Sequence, residues 1–190
     1  MKKLFIMTLL CVMSISVSAQ EHLTFKGVSI DGHLSVFVEK LKTKDFKTVV
    51  VNSDSAMLKG NFGGNDCTIA VYATKTSKIV HTVCVEVSES DSWSTLKSTY
   101  NEYKSSLATK YGNGKSLEIF LSPYEAGDGY EMSALRLNKC VYMTKYTTLK
   151  GEIILTIGYL EGGKVVLYYI DKANNALSEA EEKRLINSDL

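Results

Sequence analysis

Few side chains in this 190-residue sequence have the types and spacing that chemistry requires. A thiol becomes a nucleophile when a base stands beside it. Cys67 and His81 occupy odd positions in two adjoining segments, 67–74 and 78–87, whose odd positions are largely apolar. Paired as strands, these segments could turn both side chains to one face. No third residue to orient the base and no oxyanion turn accompany them. Two core residues under one sheet therefore explain the pattern better than a Cys/His hydrolase does. Of the other histidines, His22 falls in an N-terminal stretch expected to be mobile, and His33 stands at a helix start, as a cap or facing water. None sits at metal-ligand spacing, and neither HExxH nor HxH occurs. The loop over residues 124–131 collects acids and glycines, but its spacing is not that of an EF-hand, so it reads as an exposed turn. With no GxSxG, P-loop or GxGxxG present, no cofactor and no metal is expected.

Tyrosine is the compositional oddity, with 11 copies. Tyr142 and Tyr146 share strand parity, and Tyr168 lies opposite in parity to Leu167 and Tyr169. Tyrosine offers a large contact area with a polar tip, which suits interfaces, although it also suits ordinary strands. The three residues are the candidate binding surface, on a sheet face left free by the helices.

The elements that must position these groups follow from periodicity. Trp93, Leu96, Tyr100, Tyr103, Leu107 and Tyr111 recur at helical spacing and predict a helix over 92–111, capped by Ser90 or Asp91 and ended by Gly112. Leu34, Phe37, Val38 and Leu41 predict a second helix over 32–44, with Asp31 as its cap. Segments 67–74 and 78–87 predict one hairpin. Segments 152–160 and 164–171 predict another, turning at Gly162 and Gly163. Weaker strands are expected at 47–51, 57–62, 116–121, 131–137 and 140–147. Ser178 and Glu181 have capping-box spacing, which predicts a short helix over 178–187.

The N-terminus reads as an export signal. Lys2 and Lys3 precede an apolar run over residues 4–13, and Val17, Ser18 and Ala19 place small residues before a cut at Gln20. The run is too short to span a bilayer, which takes about 20 residues. Removing residues 1–19 takes away two of the 22 basic side chains and none of the 21 acidic ones, leaving 20 against 21. A near-neutral chain has no global field to draw it to nucleic acid or an anionic membrane, and no later segment is apolar enough to span. Of the cysteines left, Cys67, Cys84 and Cys140, an odd one must stay unpaired, and parity turns Cys84 away from Cys67. The expected compartment is periplasmic or extracellular.

The order helix, then about four strands, occurs twice. Leu58-Lys59-Gly60 is echoed by Leu149-Lys150-Gly151, Thr68-Ile69-Ala70 by Thr156-Ile157-Gly158, and Lys78-Ile79-Val80 by Lys164-Val165-Val166. In element order, residues 28–171 resemble β-lactamase inhibitory protein, a tandem of helical segments packed on antiparallel sheets, and small exported Gram-negative proteins. The resemblance implies a binding module whose sheet face meets a partner. The expected fold is α+β: one body over 20–190, built from two repeated units (28–90 and 91–171), each a helix on an antiparallel sheet of about four strands, plus the C-terminal helix. The expected function is an exported, non-enzymatic module that binds a protein or small ligand. The alternatives are a small-molecule or lipid carrier with a pocket between helix 92–111 and the sheet, and a hydrolase at Cys67 and His81.

Overall fold

Alternation of apolar and polar residues builds most of the molecule, and every strand it makes pairs antiparallel. The computed structural model describes residues 21–189, so the expected export signal lies outside the described residues. A small hairpin, β1 (Thr24–Phe25) and β2 (Val28–Ser29), precedes helix α1 (Leu34–Lys42). A meander follows: β3 (Lys47–Val51), β4 (Ser55–Phe62), β5 (Asn65–Ala73) and β6 (Val80–Ser90). Helix α2 (Trp93–Tyr111) leads to β7 (Lys115–Phe120), a short helix α3 (Glu131–Arg136), β8 (Cys140–Thr147), β9 (Gly151–Tyr159) and β10 (Gly163–Asp171). Helix α4 (Lys172–Asp189) ends the described chain. No helix among the described residues is long and apolar enough to cross a membrane.

The expectation of two helix-on-sheet units is overturned. The protein is mostly β, with the strands in one eight-stranded sheet of order β3-β4-β5-β6-β10-β9-β8-β7 beside the two-stranded hairpin. The last strands of the two meanders pair with each other, Gly163 opposite Ser90 through to Ile170 opposite Thr82. Helix α2 packs on β6, β8, β9 and β10, so it straddles the seam rather than serving one half. The cause is burial on both faces. In β6, Val83 and Val85 are fully buried on the helix side, and Cys84 is 8% exposed on the other. A strand covered on both faces is stable inside a sheet, whereas at an edge it would present unpaired N–H and C=O groups beside apolar surface.

Three further expectations change. Residues 131–137, read as a strand, form α3, which buries Ala134 and Leu135. The turn between β9 and β10 closes from the Leu160 N–H to the Gly162 carbonyl, and Glu161, not a glycine, takes the left-handed conformation (φ 58°). Gly163 is small for a packing reason: a Cβ there would lie 2.4 Å from Leu96 and 2.7 Å from the Ser90 carbonyl. The C-terminal helix begins at Lys172 rather than 178, because the Asp171 carboxylate accepts the N–H groups of Ala173 and Asn174. Ser178 and Glu181 are then mid-helix and buried. Glu181 reaches out to accept the N–H groups of Thr76 and Ser77 and the Ser77 hydroxyl, fastening α4 to the β5–β6 turn. Burial alone would push the Glu181 carboxyl up, but those hydrogen bonds outweigh it and hold the group below the ordinary glutamate range.

Helix α2 buries Leu96, Tyr100, Tyr103 and Leu107, and its end residues Trp93 and Tyr111 are half-buried. Ser92 caps it by accepting the Thr95 N–H at 3.5 Å. Because Leu96 is wholly buried, Leu96→Ala should destabilise by about 2–5 kcal/mol. Lys97→Ala, on the exposed face, should stay within about 0.5 kcal/mol. Urea unfolding of both variants checks this, and similar losses would mean the helix face is wrong. A second expectation concerns pH. A carboxylate held below its ordinary pKa stabilises the fold above that range, and the contribution disappears as pH falls through the depressed value. Glu181→Gln should therefore lower stability by about 1 kcal/mol at neutral pH. Its gap from wild type should close below pH of about 4; a gap constant across a pH series of urea midpoints would contradict the assignment.

Candidate functional site

The residues singled out by type do not assemble. Thr68 pairs with Glu86, so Cys67 lies beside Val87, while His81 sits six residues further along β6. At the rise of a strand the two are about 20 Å apart. Burial pushes the Cys67 thiol up and the His81 imidazole down, the reverse of what a thiolate and its base require. Cys84 and Cys140 are also free and buried, pushed up to about 11 and about 12 by burial first and then by Glu86 and Glu131 respectively. His22 is anchored rather than mobile, its ring nitrogens 3.1 Å from Asp171 and 3.6 Å from Asp31. His33 caps α1 in place of Asp31.

The tyrosine surface divides. Tyr142 and Tyr146 are 6% and 2% exposed and lie on the helix side of the sheet. Tyr142 meets Trp93, Tyr100 and Phe120 edge-on, and the Tyr146 hydroxyl donates to the Lys104 carbonyl at 2.8 Å. These two are core, which removes them from any docking face. Tyr168 alone lies on the face away from α1–α3, half-buried between Cys84 and Ile154. In the loop over 124–131 the acids serve their own backbone: Asp128 accepts the N–H groups of Glu125 and Tyr130, and Glu131 that of Gly127. Among the described residues no group of three His, Cys, Asp or Glu side chains could hold a metal.

What the fold does assemble is a cavity of about 290 Å³ between α2, the β1–β2 hairpin, the β4–β5 turn and β10. Leu167 and Tyr169 of β10 form its floor, Tyr103 and Leu107 of α2 its roof, and Phe62 one wall. Two tight turns set the walls. Lys26 (φ 50°) and Gly27 (φ 77°) turn the first hairpin, and Gly63 (φ 63°) and Gly64 (φ 88°) the second, both with the paired positive φ of a type I′ turn. Gly63 must also be small, since a Cβ would meet the Tyr103 hydroxyl at 2.8 Å. Phe62 stacks on Tyr103 with ring centroids 6.0 Å apart and on Phe25 at 5.6 Å, and Tyr169 meets Phe25 edge-on at 5.5 Å. The walls are thus rigid aromatic surface.

The phenols in this box differ in their commitments. Tyr103 donates to the Phe62 carbonyl at 3.1 Å. Tyr169 is 5% exposed, yet its hydroxyl bonds to no described residue. No side-chain oxygen or nitrogen sealed from solvent is left without a partner among the described residues. The Tyr169 hydroxyl therefore opens into the cavity. Burial, and then the nearby phenols of Tyr111 and Tyr103, push its ionisation well above the ordinary tyrosine range, so it stays protonated and can donate. Around the mouth stand Thr24, Lys26, Glu102, Ser106 and Lys110. A larger, more open concavity of about 800 Å³ lies on the other side of Lys26, over Lys44, Lys59, Asp66, Cys67 and Glu86, and is lined by charges of both signs.

Periodicity exposed the α2 stripe, but Phe25, Phe62 and Tyr169 come from segments whose convergence no local pattern announces. The separation of Cys67 from His81 was legible: a hairpin closing near 74–79 already sets 67 opposite 87. No protein family, no curated protein and no solved structure matches the chain, so the functional reading rests on the geometry alone.

Proposed function

We propose that this chain is an exported binding protein for a small, flat, largely apolar molecule, held between α2 and the sheet. The observation that carries the reading is the unpartnered Tyr169 hydroxyl, buried in an aromatic box and open only to the cavity. The hydroxyl reaches water only through the cavity, and a bound acceptor would replace that water with a direct hydrogen bond worth about 1 kcal/mol net. The volume equals that of about ten waters in the liquid, at the small end of ligand pockets. Preformed aromatic walls bind without the ordering cost that weakens flexible sites. The protein-docking alternative loses Tyr142 and Tyr146 to the core, and the hydrolase alternative loses the proximity of Cys67 and His81.

Isothermal titration with 2-acetonaphthone, a flat neutral ketone, tests the reading. Wild type should bind at a single saturable site. Tyr169→Phe should fold normally and bind about two- to tenfold more weakly, the loss of one hydrogen bond. Leu107→Trp, which wedges an indole into the space, should abolish binding while retaining the far-UV spectrum. Absence of binding by wild type at millimolar ligand, or unchanged affinity in both variants, would sink the reading.

A further inference from the structure

Resting on that reading of the cavity, we infer that its ligand is a monoanion: an apolar body against the aromatic walls, with an acidic head group at the mouth between Lys26 and Lys110. The mouth carries three charged side chains, Lys26 on the hairpin turn and Glu102 and Lys110 on α2. Nearby, Lys104 of α2 pairs with Glu118 and Lys150 with Glu21 at 3.0 Å, while Lys97, on the exposed face of α2, pairs with no described residue. Neither Lys26 nor Lys110 forms an ion pair with a described residue, and neither does Glu102. Two ammonium groups against one carboxylate leave one net positive charge at the opening.

Lys26 is carried on the type I′ turn it forms with Gly27, which defines its backbone (φ 50°) at the cavity edge. Lys110 lies over the Tyr111 ring, its Nζ 5.1 Å from the centroid, so the charge rides on the cavity wall. Glu102 and Lys110 stand eight residues apart on one helix, about 12 Å along its axis, too far to pair with each other directly. The rim hydroxyls of Thr24 and Ser106 and the inward Tyr169 hydroxyl supply donors to an anionic head group. A cationic ligand would meet two like charges. A neutral one would leave the lysines indifferent.

Two isosteres separate the possibilities. In 2-naphthoate a carboxylate replaces the acetyl group of 2-acetonaphthone on the same ring. By calorimetry, wild type should bind naphthoate at least fivefold more tightly than the ketone, and the advantage should shrink with added salt. In the double variant Lys26→Gln/Lys110→Gln the ratio of naphthoate to ketone affinity should fall to about one. Equal affinities in wild type, an advantage that survives in the double variant, or a preference for 2-naphthylmethylammonium would each overturn the monoanion and leave the cavity reading intact. If wild type binds neither naphthoate nor the ketone, both inferences fall.

Discussion

The pairing of β6 with β10 is the constraint on which the rest of the molecule depends. Each is the last strand of a four-strand meander, and each would otherwise be an edge. Joined along Gly163–Ile170, they make one sheet whose helix side presents Val83, Val85, Val165, Leu167 and Tyr169 in a continuous patch. One long apolar surface calls for a long cover, and α2 supplies it by crossing the seam. The register is fixed where α2 comes closest, because Leu96 occupies the space that a side chain at Gly163 would need. At the other end of α2 the approach is looser, and the β1–β2 and β4–β5 turns stand in as walls. The cavity is the space left between them, so its position follows from the seam.

The hairpin that forms one of those walls is far too short to be stable by itself. It is held from its base by polar contacts. The Asp171 carboxylate, fully buried at the start of α4, accepts the Leu23 N–H at 2.8 Å as well as capping the helix, and His22 lies against it. One turn on, the Asn174 amide donates to the carbonyls of Ile30 and Val80 and to Asp31, all at 3.0 Å. Ser178 and Glu181 continue the row at helical spacing. Helix α4 therefore docks through a polar spine, with Leu177, Leu185 and Ile186 left exposed. A hydrogen-bonded helix face specifies one register where an apolar one tolerates several, because each misplaced partner leaves a buried group unsatisfied.

How much of this the sequence disclosed depends on how local each feature is. The α2 stripe, α1 and the two long hairpins follow from periods of 3.6 and 2 within single segments, and these were legible. Residues 131–137 misled because a six-residue helix offers too few turns for its period to stand out. The helix start at Asp171 was hidden because that residue also closes β10, and the Ser178–Glu181 spacing supplied a false start in its place. The side chosen for Tyr142 and Tyr146 failed for a different reason. In β8 one parity holds Cys140, Tyr142, Thr144 and Tyr146, the other Val141, Met143, Lys145 and Thr147. Both sets are mixed, so alternation defined two faces without saying which one the helix would cover. The β6–β10 seam was beyond reach, since pairing between distant strands leaves no trace in either strand alone.

The chemistry of the cavity follows from the same non-local arrangement. At position 169 the sheet needs only a large flat side chain on the helix side, and phenylalanine would meet Phe25 and Phe62 as well as tyrosine does. The hydroxyl is the part that packing leaves unexplained. Three phenols under the helices have fixed roles: Tyr100 meets Thr144 at 2.6 Å, Tyr103 donates to Phe62, and Tyr146 to Lys104, while Tyr142 is held by the rings of Trp93, Tyr100 and Phe120 alone. Those groups knit the helix to the sheet. The Tyr169 hydroxyl bonds to no described residue, and it faces a space walled by leucine and aromatic side chains beneath a polar rim. A single donor in such a box contributes little to affinity, about 1 kcal/mol, but it fixes orientation. On the proposed reading it would turn the acceptor end of a guest toward the phenol and leave the apolar end to the walls. Under the proposed reading, the donor of Tyr169 and the charges of Lys26 and Lys110 would give the cavity a direction, which a packing defect would lack.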